Sequence, residues 1–521
     1  MTALEPGAPA AAQYPDRARR ILITASAMMA ATMVAVDMTI ANVALPQMQA
    51  TVSASQEQIV WVLTSYIVAG AIATPLSGWL AGRYGRKRIM LLSAAGFTIA
   101  SAMCGLSNSL TMIVVSRLLQ GASGAGLIPL SMAMLLDINP PENHAKAMAI
   151  FSLGSMLGPL IGPTLGGYLV DSVTWRGVFF VNLPFGVLAF AGMAVSVVET
   201  RDPHSPRFDL FGFTTVSLAL ASFQLMLDRG ELLDWFESTE IRLYALIAAL
   251  SVYLTAVHMA TRRNTFIKVD LFRDRNFALG SVLSMTVGVV AFATIPMIVV
   301  MTQTLLGYSA LQTGIVGMPR GIGTAVALMI VTRLITRYDP RLLMSVGLAL
   351  TAVSLMMYSH IDLYVDEWHL LLIGLIQGFG GGFLFSPLSI VVFATLPAAS
   401  RNEGAALYAI TRNIGQAVGI SYLQRQLIHS AAGAQATLVQ GVRPDNPAVL
   451  FGMPDLQFGS VEALAGMSRL IARQASMVAD VQVFGAISLI AFAMIPFVFL
   501  FRITRRPGAD GNPVEPMPLM E

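Results

Sequence analysis

Apolar runs of about twenty residues recur from one end of this 521-residue chain to the other, and they limit its fold more than any single motif does. A helix rising about 1.5 Å per residue needs about twenty residues to cross a hydrocarbon layer of about 30 Å. Such runs at 21–45, 58–81, 89–108, 110–135, 147–170, 178–198, 210–228, 241–260, 277–301, 311–335, 342–359, 369–396, 404–428 and 479–502 predict fourteen transmembrane helices. Only 12% of residues are charged, against about 25% in soluble domains. Membrane barrels show an alternation over about ten residues that these runs lack. The chain reads as an all-α polytopic membrane protein.

Basic residues orient it. On the side that holds both termini fall 22 of the 32 Lys and Arg residues, among them Arg17, Arg19, Arg20, Arg83, Arg86, Lys87 and Arg88. Seven fall on the other side, and Arg117, Arg320 and Arg412 lie inside spans. The excess of positive charge predicts that both termini are cytoplasmic. The net charge of +3 is distributed by topology and suggests no nucleic-acid partner. Residues 1–20 resemble the start of a signal peptide, but the following apolar stretch is too long, so it is read as an uncleaved first helix. Cys104 is the only cysteine and the six histidines show no ligand spacing, so no disulfide, metal site or cofactor is expected. No nucleotide-binding loop or catalytic triad appears, which leaves enzyme and ATP-driven pump readings without support.

One acid stands out inside the first span. Asp37 opens the string Asp-Met-Thr-Ile-Ala-Asn-Val-Ala-Leu-Pro, ending at Pro46. A carboxylate at membrane depth costs about 2.5–3.5 kcal/mol to insert and usually handles an ion or substrate. Asp37 sits about 12 Å and Arg117 about 10 Å below the same boundary, so the two can face each other. A guanidinium favours the ionised carboxylate and loss of water favours the protonated one, so a site that opens and closes could bind and release a proton. A static pair joining the first and fourth helices is the alternative.

Two further stretches are unusual. Gly78, Gly82, Arg83, Gly85, Arg86 and Arg88 mark the connection between the second and third spans, expected to be a short loop at the cytoplasmic face. Gly154, Gly158, Pro159, Gly162, Pro163 and Gly167 concentrate in the fifth span; small residues at this spacing allow close helix approach, and the prolines predict a bent, pliable helix.

These strings resemble signatures of the major facilitator superfamily. The segment 78–88 is similar to its G-x-L-a-D-r-x-G-r-k-r motif, and Arg117-Leu-Leu-Gln120-Gly121 to its R-x-x-q-G motif. Gly154–Gly167 resembles the antiporter motif of helix five, and Asp37–Pro46 together with Trp175–Pro184 resembles the 14-helix drug:proton antiporter branch, most of all its EmrB type. Gly82 departs from the pattern, because the family has an acid there that helps latch the cytoplasmic side; Asp137 or Glu142 could substitute. The resemblance implies a tail 1–20, a six-helix bundle 21–198, a linker 199–276 with two extra helices, a second bundle 277–502 with an outer loop at 430–478, and a tail 503–521. It implies alternating access around a central cavity, driven by the proton gradient with Asp37 and Arg117 as the coupling pair. Asn42 and Gln120 are then expected near the cavity. Tyr66 and Gln377, polar groups in apolar spans, are further candidates for its lining.

The expected function is proton-coupled efflux of small hydrophobic drugs from the bacterial inner membrane. Arg320 and Arg412 lack a central acid in the second half, which favours neutral or weakly acidic compounds over cations; bonds to backbone carbonyls are the equal alternative for both arginines. The family implies a periplasmic adaptor and an outer-membrane channel as partners, with 430–478 either a solvated loop, in which Val461–Met477 could be a short helix, or a docking surface. Export of one dedicated metabolite, lipid or fatty acid, and a non-transporting receptor or scaffold, are the competing readings.

Overall fold

The computed structural model describes residues 14–140, 144–200, 208–231, 233–262, 269–335, 337–396, 401–442 and 461–502. Its long helices are α1 (Arg17–Thr51), α2 (Trp61–Tyr84), α3 (Arg86–Gly105), α4 (Leu110–Asp137), α5 (His144–Ser172), α6 (Gly177–Ser196), α7 (Leu210–Gly230) and α8 (Thr239–Thr261). They continue with α9 (Arg275–Leu305), α10 (Ala310–Leu334), α11 (Pro340–Tyr358), α12 (Glu367–Ala394), α13 (Arg401–Gly441) and α14 (Val461–Ala493). Among the described residues, twelve of these are long and apolar enough to cross a membrane, and α5 and α13 occupy the fifth and thirteenth expected spans.

Polar caps set where several helices begin. Asp209, Asp274, Ser309 and Asp339 each accept a backbone N–H from the first turn, and Ser309 and Gln312 close a reciprocal capping box at α10. Three helices are irregular inside. α4 breaks at Ala125–Gly126, α6 is interrupted at Val181, and α9 carries π-helical turns at Gly288–Phe292 and Met301–Leu305.

The first six helices and the last six pack in the same pattern. Within the first set α1 lies on α5 and α6, α2 on α4, and α3 on α4 and α6; within the second set α9 lies on α13 and α14, α10 on α12, and α11 on α12 and α14. Two bundles therefore repeat one arrangement, although the sequence shows no repeat to the eye. Between them α5 packs on α10 and α2 packs on α13, again an equivalent pair of contacts. α7 lies against both α2 and α13, across the join, and α8 packs chiefly on α7.

The bundles are held together at the end away from the chain termini, called distal here. The Thr164 hydroxyl of α5 donates to Gly314 O of α10 at 3.2 Å, Leu311 N donates to Asp171 Oδ2 at 2.8 Å, and Gln303 Nε2 of α9 donates to Val43 O of α1 at 3.2 Å. Gly167 and Gly314 make this possible. A Cβ on Gly167 would strike the backbone at Ala310–Leu311, and one on Gly314 the backbone at Pro163–Thr164.

Two expectations need correction. The loop expected at 78–88 is almost absent: α2 runs through Gly82 to Tyr84, α3 starts at Arg86, and Gly85 alone turns the chain with φ of 103°. That value suits a residue without a Cβ. The fifth span is a continuous helix from His144 to Ser172, through both of its prolines. Finally, 430–478 is not mainly loop. α13 continues to Gly441 through the Ala-rich stretch 431–436, composed largely of strong helix formers, and α14 begins at Val461 and packs on it. At 41 residues α13 is about 60 Å long, twice the hydrocarbon thickness, so the two helices form a hairpin beyond the distal surface. Most of both tails, Glu142, residues 443–460 and the side chains at Gly154 and Pro159 lie outside the described residues.

Candidate functional site

Five helices of the first bundle bring their polar side chains to one point. α1 supplies Asp37, α2 Tyr66, α3 Ser101 and Cys104, α4 Arg117 and Gln120, and α6 Asn182, all of them buried. Asp37 is fully shielded from solvent and Arg117 is 1% exposed.

The hydrogen bonds close on one another. Arg117 Nη1 donates to Asp37 Oδ2 at 2.6 Å and to Gln120 Oε1 at 2.8 Å, while Gln120 Nε2 donates to Asp37 Oδ1 at 2.8 Å. Asn182 Nδ2 donates to the same Oδ1 at 2.9 Å and to Ser101 Oγ at 3.0 Å, and the Ser101 hydroxyl in turn donates to Phe179 O at 2.8 Å. Arg117 Nε donates to Val62 O of α2 at 3.1 Å, and its guanidinium lies 4.0 Å from the Tyr66 ring centroid. Cys104 Sγ donates to Gln120 Oε1 at 3.6 Å. Ion pairs taken out of water are costly unless their remaining donors and acceptors are also met. Here Asp37 accepts three N–H groups and Arg117 gives to three acceptors, so both charges are compensated by protein groups alone.

Close helix approach is what places the two charges together. On α5, a Cβ at Gly158 would strike α1 at Ala35–Val36, one at Gly162 would meet Thr39, and one at Gly166 would meet Ile40. Thr39 also donates to Gly158 O at 3.2 Å. On α4, a Cβ at Gly121 would strike the Tyr66 carbonyl. The glycines thus seat α1 closely on α5, and α2 closely on α4, the helix that carries Arg117.

The second bundle keeps the scaffold and loses the ion pair. Gln377-Gly378 of α12 repeats Gln120-Gly121 of α4: a Cβ at Gly378 would strike the Arg320 carbonyl of α10, as one at Gly121 would strike Tyr66. The same register sets Gly374 where Arg117 stands, against Val316 O and Arg320 N. On α13, Gly415 and Gly419 abut Met285 and Val289 of α9, which sets Val287 where Asp37 stands. Gln377 is 3% exposed, and both of its amide atoms lack a hydrogen-bond partner. Arg320 Nη2 donates to Ala291 O at 2.5 Å, and the Arg412 guanidinium lies 5.6 Å from the Phe292 ring centroid. Both arginines therefore converge on the first π-helical turn of α9.

Other candidates fall elsewhere. Asn42 donates to Met38 O of its own helix at 2.9 Å and does not join Asp37. Gly78 is exposed with open space around it, and Arg83 is exposed. At the α2–α3 turn, where the family motif has an acid and this chain has Gly82, two other acids engage the basic residues. Arg86 pairs with Asp137 at the end of α4, and Glu199, after α6, accepts Lys87 N at 3.1 Å and lies 3.7 Å from Arg88 Nε. The reading of the sequence missed Glu199, Ser101, Cys104 and the placement of Asn182. A polar residue inside an apolar span is the signal that could have found Ser101 and Asn182.

Comparison with known proteins fits this arrangement. The Major Facilitator Superfamily profile matches residues 27–420. The "Multidrug export protein EmrB" of Escherichia coli strain K12 is 32% identical over 83% of this chain and 85% of its own length. The "Fatty acid resistance protein FarB" of Neisseria gonorrhoeae is 29% identical over 94% of this chain and 97% of its own. Among solved structures, a bacterial homologue of the human lysosomal transporter Spinster, inward-facing and unoccupied, superposes with TM-score 0.62 at 18% identity, covering 94% of this chain and all of that one. The D-xylose–proton symporter gives 0.57 at 13% identity over 91% and 97%. The chain belongs to the major facilitator superfamily and is a multi-pass membrane transporter, not an enzyme, with EmrB-type proteins among its relatives.

Proposed function

We propose that this protein is a proton-coupled multidrug exporter of a bacterial inner membrane, with fourteen spans and both termini in the cytoplasm. The observation that carries the reading is the dry cluster around Asp37. Its carboxylate is held by a guanidinium that α4 carries and that bonds α2 through Val62 O, so relative motion of α1, α2 and α4 decides whether Arg117 or a proton neutralises it. With termini inside, the distal end faces outward and is the closed one, so substrate would enter from the cytoplasm or inner leaflet. Rocking of the two repeated bundles then exposes it outside. A proton arriving at Asp37 frees Arg117, and its release to the cytoplasm restores the pair. The proton gradient is the only energy source required.

The second bundle supports a preference for neutral or weakly acidic hydrophobic compounds. Among the described residues no acid is bonded to Arg320 or Arg412 where they reach one turn of α9, and Gln377 offers an unused donor and acceptor nearby on α12, although Arg320 makes the backbone-carbonyl bond of the alternative reading. The names of the relatives include multidrug export and, for FarB, fatty acid resistance, so a carrier dedicated to fatty acids is the second reading. The hairpin of α13 and α14 beyond the outer surface gives a periplasmic adaptor, and through it an outer-membrane channel, a place to dock. An active carrier would raise the concentration of drug that cells tolerate.

Acid-loaded inverted vesicles test the reading. Addition of hydrophobic acids, neutral compounds and cations in turn should release protons with wild type and not with Asp37→Asn. Silence across the panel from inserted, folded protein would reject proton-coupled drug export, and response to long-chain fatty acids alone would favour the dedicated carrier.

A further inference from the structure

Outside the two bundles, α7 carries a half-buried acid that the cluster at Asp37 does not use. Asp228 stands two residues before the distal end of α7, and its Oδ1 accepts from Gln224 Nε2 at 3.0 Å. The Thr64 hydroxyl of α2 lies against the same carboxyl group. Its Oδ2 is buried with no hydrogen-bond partner. Around it the charges are already engaged. On α7 itself Arg229 pairs with Glu240 of α8, which also accepts from Tyr244, and Glu231 accepts from Trp235 and pairs with Arg425 and His429 of α13. α2 presents Thr64 here and no charge, while Tyr66 turns to Arg117. No cation among the described residues pairs with Asp228.

The neighbours matter because α7 straps the join at the closed end. Leu227 O accepts from Ser421 of α13 at 2.8 Å, one residue from the acid that meets α2. When α2 and α13 part at this end, Asp228 meets water and can ionise. When they close, a charged carboxylate would keep one oxygen, Oδ2, shielded from water with no hydrogen bond, which disfavours the ionised form. We propose that Asp228 is a second proton site, filled from the outer face, whose neutralisation permits the outer end to close. The step balances simply: a hydronium ion outside gives its proton to the Asp228 carboxylate and leaves as water, and reopening returns the proton to the same side. Asp228 thus makes the return step sensitive to outside pH without adding to the protons moved per cycle. This rests on the outward orientation of the distal end argued under Proposed function.

Distance measurement without substrate separates the two proposals. Nitroxide labels on Val173→Cys, at the end of α5, and Thr304→Cys, at the end of α9, report the separation of the bundles in lipid nanodiscs by pulsed electron paramagnetic resonance. Both positions are exposed, and Cys104 is buried and stays unlabelled. In an Asp37→Asn background, acidification from about pH 8 to about pH 5 should raise the ratio of closed to open, by up to about tenfold per pH unit in the titrating range. Adding Asp228→Asn should hold the ratio closed at every pH, while Asp228→Glu keeps the dependence and shows that the site still folds. His429→Gln, which removes the imidazole paired with Glu231, should leave the dependence in place. A flat profile in Asp37→Asn, or a slope that survives Asp228→Asn, would overturn the proposal. Loss of drug-induced proton release with this dependence intact would instead reject the export reading alone.

Discussion

Replacing Arg117 by Met tests how the charges in the first bundle depend on each other. The substitution keeps most of the side-chain volume and removes three donated bonds, to Asp37, Gln120 and Val62 O. Asp37 keeps Gln120 and Asn182 as donors, but a carboxylate without its cation remains in a site with no solvent access. Breaking a buried pair from one side costs about 3–5 kcal/mol. Asp37→Asn strands the cation instead and should cost a similar amount, softened by the Tyr66 ring face and Gln120 Oε1. With both substitutions no charge is left, so the double variant should lose less than the sum of the singles by about 2–3 kcal/mol. Unfolding by sodium dodecyl sulfate in mixed micelles, followed by circular dichroism, measures all four proteins. Acid should also narrow the gap between Arg117→Met and wild type, since a protonated Asp37 needs no cation. Additive losses, or a gap that acid widens, would refute the claim that the two charges form one energetic unit.

Further outcomes follow from other contacts. Gly167→Leu would drive a side chain into the backbone at Ala310–Leu311 and should abolish transport by inserted protein while lengthening the Val173–Thr304 label distance. Asp137→Ala and Glu199→Ala remove partly exposed ion pairs worth about 0–1 kcal/mol each; each alone should lower drug-driven flux about twofold or less, and together they should do so more strongly at low salt than at high. Arg320→Ala and Arg412→Ala should weaken export of hydrophobic acids about tenfold while sparing neutral compounds, read as competition for a fluorescent substrate, and equal effects on both classes would remove the arginines from substrate choice.

Much of the fold was legible because membrane helices announce themselves by length and hydropathy. Asp37 and Arg117 could be brought to one depth by counting residues along two spans, and the structure pairs them. Asn182 was harder, since a lone amide near the start of a span has no partner until the α3–α6 packing is known. The repeat of Gln120-Gly121 in Gln377-Gly378 is two residues long and surfaces only when both glycines are seen against the equivalent neighbouring helix. Asp228 was passed over because it lies at the edge of its span, where an acid ordinarily reaches water; here α2 lies against it and its Oδ2 is shielded. The overrun of α13 escaped notice because Ala, Gln and Thr are too polar on average for a membrane run, yet most of them sustain a helix.

The central claim is that Asp37 exchanges its proton when substrate binds, and purified protein in weakly buffered detergent with a pH-sensitive dye tests it without a membrane. Drug added to the wild type should release protons in an amount that saturates with binding, and Asp37→Asn should bind the same drug and release none. Equal release from both proteins, or binding to the wild type with no release at any pH, would contradict the account.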